Sequence, residues 1–226
     1  MLSKPMAKNF GKIIYKNIPN IVTILGVLPL ALLFSEQGYQ YLIPLIVYNN
    51  IMDDLDGILA AKLNLKSDFG AKLDNVCDAV SHTLFVMVIG MHYGLACGLI
   101  SAVAIAAILI RVASRLDPSN EKGTGSPTNE LIRHVFFALL LANMFSFNPA
   151  LPLIAIFLLN TVSMHIPYPM PYMIRSLAKT ATTVGIVNIL LISAWLFPYA
   201  LPIIAGCFFS AYLYSFVKIF LGTNQK

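Results

Sequence analysis

The sequence predicts an all-α integral membrane protein, a bundle of about eight transmembrane helices within a range of six to eight. The first observation is composition: 58% of the 226 residues are hydrophobic and only 11% are charged, whereas soluble domains carry about 25% charged residues. The second is length, because many apolar stretches approach the roughly 20 residues that a helix needs to cross about 30 Å of hydrocarbon. The third is the position of the positive charges, which fall between those stretches.

Eight apolar windows follow one another along the chain, and each is expected to form one helix. They lie near residues 18–36, 40–63, 70–93, 95–115, 130–146, 149–166, 179–196 and 199–221. Before the first window, lysines recur every fourth residue from position 4 to 16 with apolar residues between them, which predicts an amphipathic helix at the membrane surface. The expected organisation is an interfacial segment at 1–17, a single transmembrane domain at 18–221 and a short tail at 222–226.

All 15 Lys and Arg residues fall on one side of the membrane if every window crosses it. The loops on the other side, around 36–39, 93–98, 146–150 and 197–200, contain none. Because Lys and Arg are retained on the cytoplasmic side, both termini are expected there, in the inner (cytoplasmic) membrane with the active site facing the cytoplasm. The net charge of +5 then reflects topology and attraction to anionic lipids, and no nucleic-acid partner is expected.

Six of the ten acidic residues lie between positions 53 and 78, on two stretches that otherwise look like membrane helices. An Asp at the centre of a spanning helix costs about 2.5 to 3.5 kcal/mol on insertion scales, so such acids are functional candidates. Helical spacing puts Asp53 and Asp56 on one face of the first stretch. It puts Asp74 and Asp78 on one face of the second. The sequence therefore predicts two facing helices that present two carboxylates each.

Four converging carboxylates repel one another, and cations must compensate their charge. Ligands that are all oxygen favour Mg²⁺ or Mn²⁺. Two such ions about 4 Å apart clamp a diphosphate and stabilise a displacement at phosphorus. Pairing with Lys62, Lys66 and Lys72 is the alternative explanation of the acidic residues, but it does not require two matched helix faces. The expected cofactors are two divalent cations, Mg²⁺ or Mn²⁺.

The acidic stretches resemble the pattern D-x2-D-G-x2-A-R-x8-G-x3-D-x3-D of the CDP-alcohol phosphotransferase family. Seven positions match it, namely Asp53, Asp56, Gly57, Ala60, Gly70, Asp74 and Asp78. The resemblance implies transfer of a phosphoalkyl group from a CDP-activated lipid to an alcohol, with release of CMP, by a homodimer. It implies that the four aspartates hold the metals and that Asp78 is also the general base. It implies that Gly57, Ala60 and Gly70 let the nucleotide approach the helix backbone.

One position departs from that pattern, because the family's Arg is Ala61 here. We expect Lys62 or Lys66 to supply the missing positive charge from the cytoplasmic end of the helix. Lys62 does not simply replace the guanidinium, since it lies about 100° further round the helix.

The Pro-Asn-x-x-Thr sequence at 19–23 resembles the opening of the family's first helix. This resemblance suggests that Asn20 and Thr23 line the nucleotide pocket. A Pro at a helix start with Asn beside it is also common capping chemistry, so both interpretations stay open.

The downstream half resembles the phosphatidylserine synthase branch of the family in its arginines, in the loop at 123–129 and in the segment at 163–169. A serine acceptor needs a donor for its carboxylate, which Arg111 or Arg115 supplies. His82, one turn beyond the last aspartate, is a further candidate for contact with the acceptor. The alternative role of the two arginines is snorkelling at a helix end, and that of the histidine is a hydrogen bond between helices. The expected substrates are CDP-diacylglycerol and L-serine.

Three alternatives remain from the sequence alone. The same chemistry could use glycerol 3-phosphate, inositol phosphate or another alcohol as acceptor. Acidic residues inside helices also mark ion pathways, so a divalent-cation transporter is a different class of function. A relative that binds the lipid without turnover is the third. The small residues beside the aspartates favour a nucleotide over an ion path.

Overall fold

The computed structural model describes residues 11–116, 127–166 and 180–222, and these residues form helices without any strand. Several sequence features lie partly or wholly outside the described residues: the first lysines of the expected interfacial helix, most of the loop at 117–129, the proline-rich segment after 166 and the end of the tail. Among the described residues, the helical stretch at 11–16 is the visible part of the expected interfacial segment.

Eight α-helices follow this stretch and make up most of the described part of the chain. They are α1 (Ile18–Val27), α2 (Leu42–Lys62), α3 (Asp68–His92), α4 (Leu95–Leu116), α5 (Thr128–Phe145), α6 (Ala150–Met164), α7 (Ala181–Leu196) and α8 (Leu201–Gly222). Two 3₁₀ segments, Leu28–Phe34 and Gly38–Tyr41, connect α1 to α2. Every predicted apolar window therefore contains one α-helix, although the first window is not one continuous α-helix.

The break in the first window lies at Pro29, which stands in the first turn of the 3₁₀ segment. Proline has no N–H, so it cannot donate to the carbonyl four residues back, that of Leu25. The Tyr48 hydroxyl donates to this Leu25 oxygen instead, at 3.0 Å. The Asn49 amide donates to the next carbonyl, that of Gly26, at 3.4 Å. The break thereby joins α1 to α2 beside the acidic residues of α2.

Three of the described helices are long and apolar enough to cross a membrane: α3, α4 and the part of α8 from Leu201 to Lys218. Three further apolar helical regions are shorter, namely residues 18–34, α6 and α7. Large apolar side chains also face outward, such as Leu95 (80% exposed) and Ile203 (72% exposed). These features indicate a membrane protein. The count of eight crossings and the side of the termini stay predictions.

The apolar core lies along the far half of α3 and around α5 and α6. Phe85, Phe137 and Phe157 are completely buried in it. The helices α3 and α4 meet so closely that a Cβ on Gly90 would lie 2.1 Å from the Ser101 hydroxyl oxygen. This tight packing fixes one half of α3 and leaves its first half, which carries the aspartates, beside polar cavities.

A short connection brings α2 and α3 together at that polar end. α2 ends at Lys62, and Asn64 adopts the left-handed region with φ of 55°. Ser67 caps α3, because its hydroxyl oxygen accepts a hydrogen bond from the Gly70 N–H at 3.0 Å. The tight turn makes α2 and α3 neighbours, and the acidic face of each meets the other.

Candidate metal centre

Asp53 and Asp56 of α2 and Asp74 of α3 converge at the centre of the polar end. Each offers a carboxylate oxygen, and these oxygens all lie within 4.8 Å of one another. Asp56 is buried, and the other two are half-buried. Three of the four aspartates that helical spacing placed on facing surfaces thus meet in one cluster.

Asp78 lies one turn further along α3 and outside that group of three. Its side chain contacts Asp53. The four aspartates also line one small cavity between α1, α2 and α3, together with Thr23. The fourth predicted carboxylate therefore borders the cluster.

Neutral side chains hold the cluster in place. The Thr23 hydroxyl donates to Oδ2 of Asp56 from α1. From α5, the Asn129 amide donates to Oδ2 of Asp53 at 2.8 Å. Hydrogen bonds of this kind orient metal-binding carboxylates and tune their affinity. The sequence predicted only that Thr23 lines the nucleotide pocket. In the structure Thr23 also contacts a carboxylate directly.

The cluster suits a hard divalent cation. Within the described residues, the ligand atoms of this group are all carboxylate oxygens. Such a donor set favours Mg²⁺ or Mn²⁺ over Zn²⁺, which prefers nitrogen and sulfur. The repulsion between close carboxylates in a half-buried site gives a further reason for a bound cation.

Asp54 points away from the cluster into a separate hydrogen-bond network. Its Oδ2 accepts from the Asn188 amide of α7 at 2.6 Å and from the Asn50 amide at 3.2 Å. Asn50 also donates to Oδ1 of Asn188 at 2.8 Å. Arg133 of α5 donates to Oδ1 of Asn50 at 3.2 Å. This network ties α5 and α7 to the helix that carries the aspartates.

A first cavity of about 310 Å³ lies on the α1 side of the cluster. Six of the seven residues expected to contact the CDP-lipid line it: Asn20, Thr23, Gly57, Ala60, Lys66 and Gly70. Asp56 and Asp74 form its inner wall. The structure therefore brings the small residues and the carboxylates to one continuous surface.

The remaining predicted residue, Lys62, lines an adjoining cavity of about 440 Å³. Lys66 lines both spaces, and Ala61 borders the second one. The two lysines thus stand near the position where the family pattern has Arg, and Lys66 is the one that reaches the cavity of the small residues.

A second polar cavity, of about 250 Å³, lies on the α5 side of the cluster and is here called the α5 cavity. It is lined by Asp53, Asp54, Asp74, Asn75, Asp78, Arg115, Pro127, Thr128, Asn129, Glu130, Arg133 and Val184. Arg115 also lies within electrostatic range of Asp74. Of the two arginines that the sequence proposed for the acceptor, Arg115 borders the aspartates.

Arg111 and His82 occupy different surroundings. Arg111 is buried and donates to the Met164 carbonyl of α6 at 2.9 Å. His82 is buried among the helices, within electrostatic range of Arg133. Neither is among the residues that line the α5 cavity. The structure thus places both side chains in buried positions outside the lining of that cavity, and their contact with an acceptor stays a prediction.

Five polar residues at the site have no role in the sequence-based interpretation: Asp54, Asn129, Glu130, Arg133 and Asn188. One signal was available, because Asn188 stands alone as a polar amide in an apolar window. Helical spacing could not find the others, because it does not show which residues of α5 and α7 face the acidic residues of α2.

Comparison with known proteins agrees with the pattern of acidic residues at this site. The sequence model of the CDP-alcohol phosphatidyltransferase family matches residues 16–211. An uncharacterized protein of Aquifex aeolicus (strain VF5) is 35% identical over 96 residues. That match covers 41% of this chain and 47% of the Aquifex protein, so the chain matches less than half of that relative's length. On the family match and the spacing of its acidic residues, the chain belongs to the CDP-alcohol phosphatidyltransferase family.

Proposed function

We propose that this protein is a phosphatidyltransferase of phospholipid biosynthesis that uses CDP-diacylglycerol as donor and releases CMP. The observation that carries the proposal is the cluster of Asp53, Asp56 and Asp74, with carboxylate oxygens within 4.8 Å of one another beside a cavity lined with small residues. A metal-bound diphosphate needs both features, because the ions require oxygen ligands and the nucleotide requires space against the helix.

The donor site is the cavity on the α1 side. At Gly57 a Cβ would meet nothing within 4 Å, so the surface beside this helix is open to a ligand. Gly70 stands in the first turn of α3, and a Cβ there would lie 3.1 Å from Oδ1 of Asn20. The positive end of the α3 dipole and the Lys66 ammonium both favour a diphosphate. Lys66 thus supplies the positive charge that the family's Arg would carry at position 61.

The chemistry is a displacement at the phosphorus that carries the diacylglycerol. Asp53, Asp56, Asp74 and Asp78 would hold two divalent cations, which would supply positive charge to the diphosphate and to the leaving oxygen. Asp78 accepts the proton of the acceptor hydroxyl, whose oxygen forms the new bond to phosphorus. The bond from that phosphorus to the bridging oxygen breaks, and CMP leaves with the electron pair. Thr23 and Asn129 hold Asp56 and Asp53 in position throughout.

The proposed acceptor is L-serine. Support comes from the resemblance to the phosphatidylserine synthase branch and from the two arginines that line the α5 cavity, Arg115 and Arg133, since a guanidinium suits a carboxylate. Glycerol 3-phosphate and inositol phosphate are the competing acceptors with the same chemistry. A homodimer is proposed from family membership alone.

The proposed topology has eight crossings, cytoplasmic termini and an active site that faces the cytoplasm of the inner membrane. The segregation of all 15 basic residues supports it. Single cysteines placed at Gln37 and at Asn64, in a background without native cysteines, test this orientation. An impermeant maleimide added to intact cells should label position 37 and spare position 64. The reverse labelling would contradict the orientation.

The test of the activity is CMP release by the purified full-length chain in detergent, with CDP-diacylglycerol, Mg²⁺ or Mn²⁺ and a panel of alcohols. We expect CMP release that depends on L-serine. Asp78→Asn should abolish it, whereas the exposed Asp68→Asn should keep it. Absence of CMP with every acceptor, together with metal flux into liposomes, would replace this proposal by a cation transporter. Full activity of Asp78→Asn would remove Asp78 as the base.

A further inference from the structure

The α5 cavity carries a buried pair of opposite charges beside the proposed base. The Glu130 side chain is 3% exposed and the Arg133 side chain is 12% exposed, and Nη1 of Arg133 lies 3.4 Å from Oε1 of Glu130. At that distance the direct bond is weak. A buried ion pair with such geometry does not recover the cost of desolvating both groups, so stability alone gives it little reason to exist.

Among the described residues, the other charged groups that line the α5 cavity or belong to the metal cluster balance without Glu130 and Arg133. Two bound divalent cations would carry four positive charges, which equals in magnitude the four negative charges of the aspartates at positions 53, 56, 74 and 78. That leaves Asp54 and Glu130 against Arg115 and Arg133. The space beside the metals is therefore close to neutral overall, although it contains fixed charges of both signs. Among the described residues that line this cavity, an acceptor with two negative charges finds no surplus of positive charge.

The two remaining carboxylates have different surroundings. Asp54 accepts hydrogen bonds from the amides of both Asn50 and Asn188, so its Oδ2 is already saturated by neutral donors. Glu130 has a single side-chain partner among the described residues, the Arg133 guanidinium. Glu130 is consequently the carboxylate with the greater capacity for a ligand ammonium, and the adjacent guanidinium suits a ligand carboxylate.

We propose that the α5 cavity selects a zwitterionic acceptor, an amino acid with a hydroxyl, in which Glu130 binds the ammonium and Arg133 binds the carboxylate. The ammonium and carboxylate of the ligand then pair with Glu130 and Arg133 in place of the long contact between these two side chains. Its hydroxyl then faces Asp78, which lines the same cavity. This inference rests on the proposed phosphatidyl transfer and identifies Glu130 as the residue that separates amino acids from phosphate esters.

The experiment compares four acceptors in the CMP-release assay with purified full-length protein, CDP-diacylglycerol and Mg²⁺. L-Serine carries both charges, 3-hydroxypropionate only the carboxylate, ethanolamine only the ammonium, and glycerol 3-phosphate only the phosphate. We expect the wild type to have its highest kcat/KM with L-serine. In Glu130→Gln, kcat/KM should fall at least about tenfold for L-serine and for ethanolamine. The value for 3-hydroxypropionate should not fall.

Two controls separate recognition from folding. Glu36→Gln removes an exposed carboxylate between the two 3₁₀ segments, at the end of the bundle away from the α5 cavity. It should leave kcat/KM for all four acceptors unchanged. Glu130→Asp keeps the charge and should keep the preference for L-serine over 3-hydroxypropionate.

An equal loss of activity with all acceptors in Glu130→Gln would overturn the inference and assign Glu130 a structural role. A wild-type preference for glycerol 3-phosphate would overturn it even if that variant does not fold. Both results leave the phosphatidyl transfer intact, whereas absence of CMP with every acceptor in the wild type contradicts the proposed function itself.

Discussion

The carboxylate of Asp54 and the side-chain amide of Asn188 are joined by a hydrogen bond of 2.6 Å, although 134 positions separate them in the sequence. Asp54 is the immediate neighbour of Asp53, which belongs to the metal cluster. The bond therefore fixes the rotation of α2 about its own axis, with Asp53 towards α3 and Asp54 towards α7. A distant helix in this way contributes to the position of the carboxylates.

Replacement of Asn188 by Ala should disturb both stability and activity. Asp54 would lose a neutral donor in a half-buried position, which costs about 1 to 3 kcal/mol. We expect a lower Tm in detergent and a lower kcat, with little change in KM for CDP-diacylglycerol. Thr182→Ala, an exposed change on the same helix, is the matched control. An unchanged Tm in Asn188→Ala would show that the bond does not stabilise the fold.

Asn129→Ala should weaken metal binding while the ligands themselves stay intact. The Asn129 amide donates to Oδ2 of Asp53 at 2.8 Å, and loss of such a partner typically costs about 10- to 100-fold in metal affinity or activity. The Mn²⁺ concentration for half-maximal CMP release should rise accordingly. Asn143→Ala, at an exposed position of the same helix, should not change it. A reduced rate at saturating Mn²⁺ with an unchanged half-maximal concentration would contradict this role.

Gly57→Ala and Gly90→Ala should have opposite effects on the Tm. A Cβ on Gly57 meets open space, and Ala gains up to about 1 kcal/mol of helix propensity, so the Tm should hold or rise. The KM for CDP-diacylglycerol should increase, because the methyl group occupies the proposed nucleotide surface. A Cβ on Gly90 would lie 2.3 Å from the Ser101 Cβ, and this overlap outweighs the gain in propensity.

We therefore expect Gly90→Ala to lower the Tm, and a second change, Ser101→Gly, to restore part of it. Thermal unfolding and initial rates on the same preparations check the pair. A stable Gly90→Ala protein would mean that α3 and α4 can separate without cost. A normal KM in Gly57→Ala would exclude close approach of the nucleotide at that residue.

Lys66→Ala should raise the KM for CDP-diacylglycerol more than Lys62→Ala does. Lys66 lines the cavity of the small residues as well as the adjoining one, whereas Lys62 lines only the adjoining one. The expected increase is severalfold and should shrink at high salt, because exposed charges are screened. Lys72→Ala, an exposed lysine on α3, is the control. Equal KM values in all three variants would exclude lysine as the substitute for the missing Arg.

The helices and the acidic faces were predictable because they follow from local rules. Spacing by three and four residues places Asp53 with Asp56 and Asp74 with Asp78 on single helix faces in any α-helix. A tight turn between two such helices then makes the faces neighbours. The positions of the eight apolar windows follow in the same way from length and hydropathy alone.

The surroundings of the cluster were not predictable because they depend on which helices pack together. Arg111 and Arg115 stand four residues apart, and spacing alone treats them alike. In the structure, however, only Arg115 lines the α5 cavity, while Arg111 bonds to the Met164 carbonyl. The bond from Asn188 to Asp54 depends likewise on the register of α7 against α2, which no local pattern encodes. The 3₁₀ segment could have been predicted from the sequence, because Pro29 lies inside the first window.

Mn²⁺ binding to the purified protein, followed by electron paramagnetic resonance in the presence of CDP-diacylglycerol, tests the central claim most directly. The account predicts about two bound ions per chain in the wild type. Asp53→Asn and Asp74→Asn should lose most of this binding, whereas Asp68→Asn should retain it. Undiminished Mn²⁺ binding in both Asp53→Asn and Asp74→Asn would contradict the assignment of these carboxylates as the metal centre.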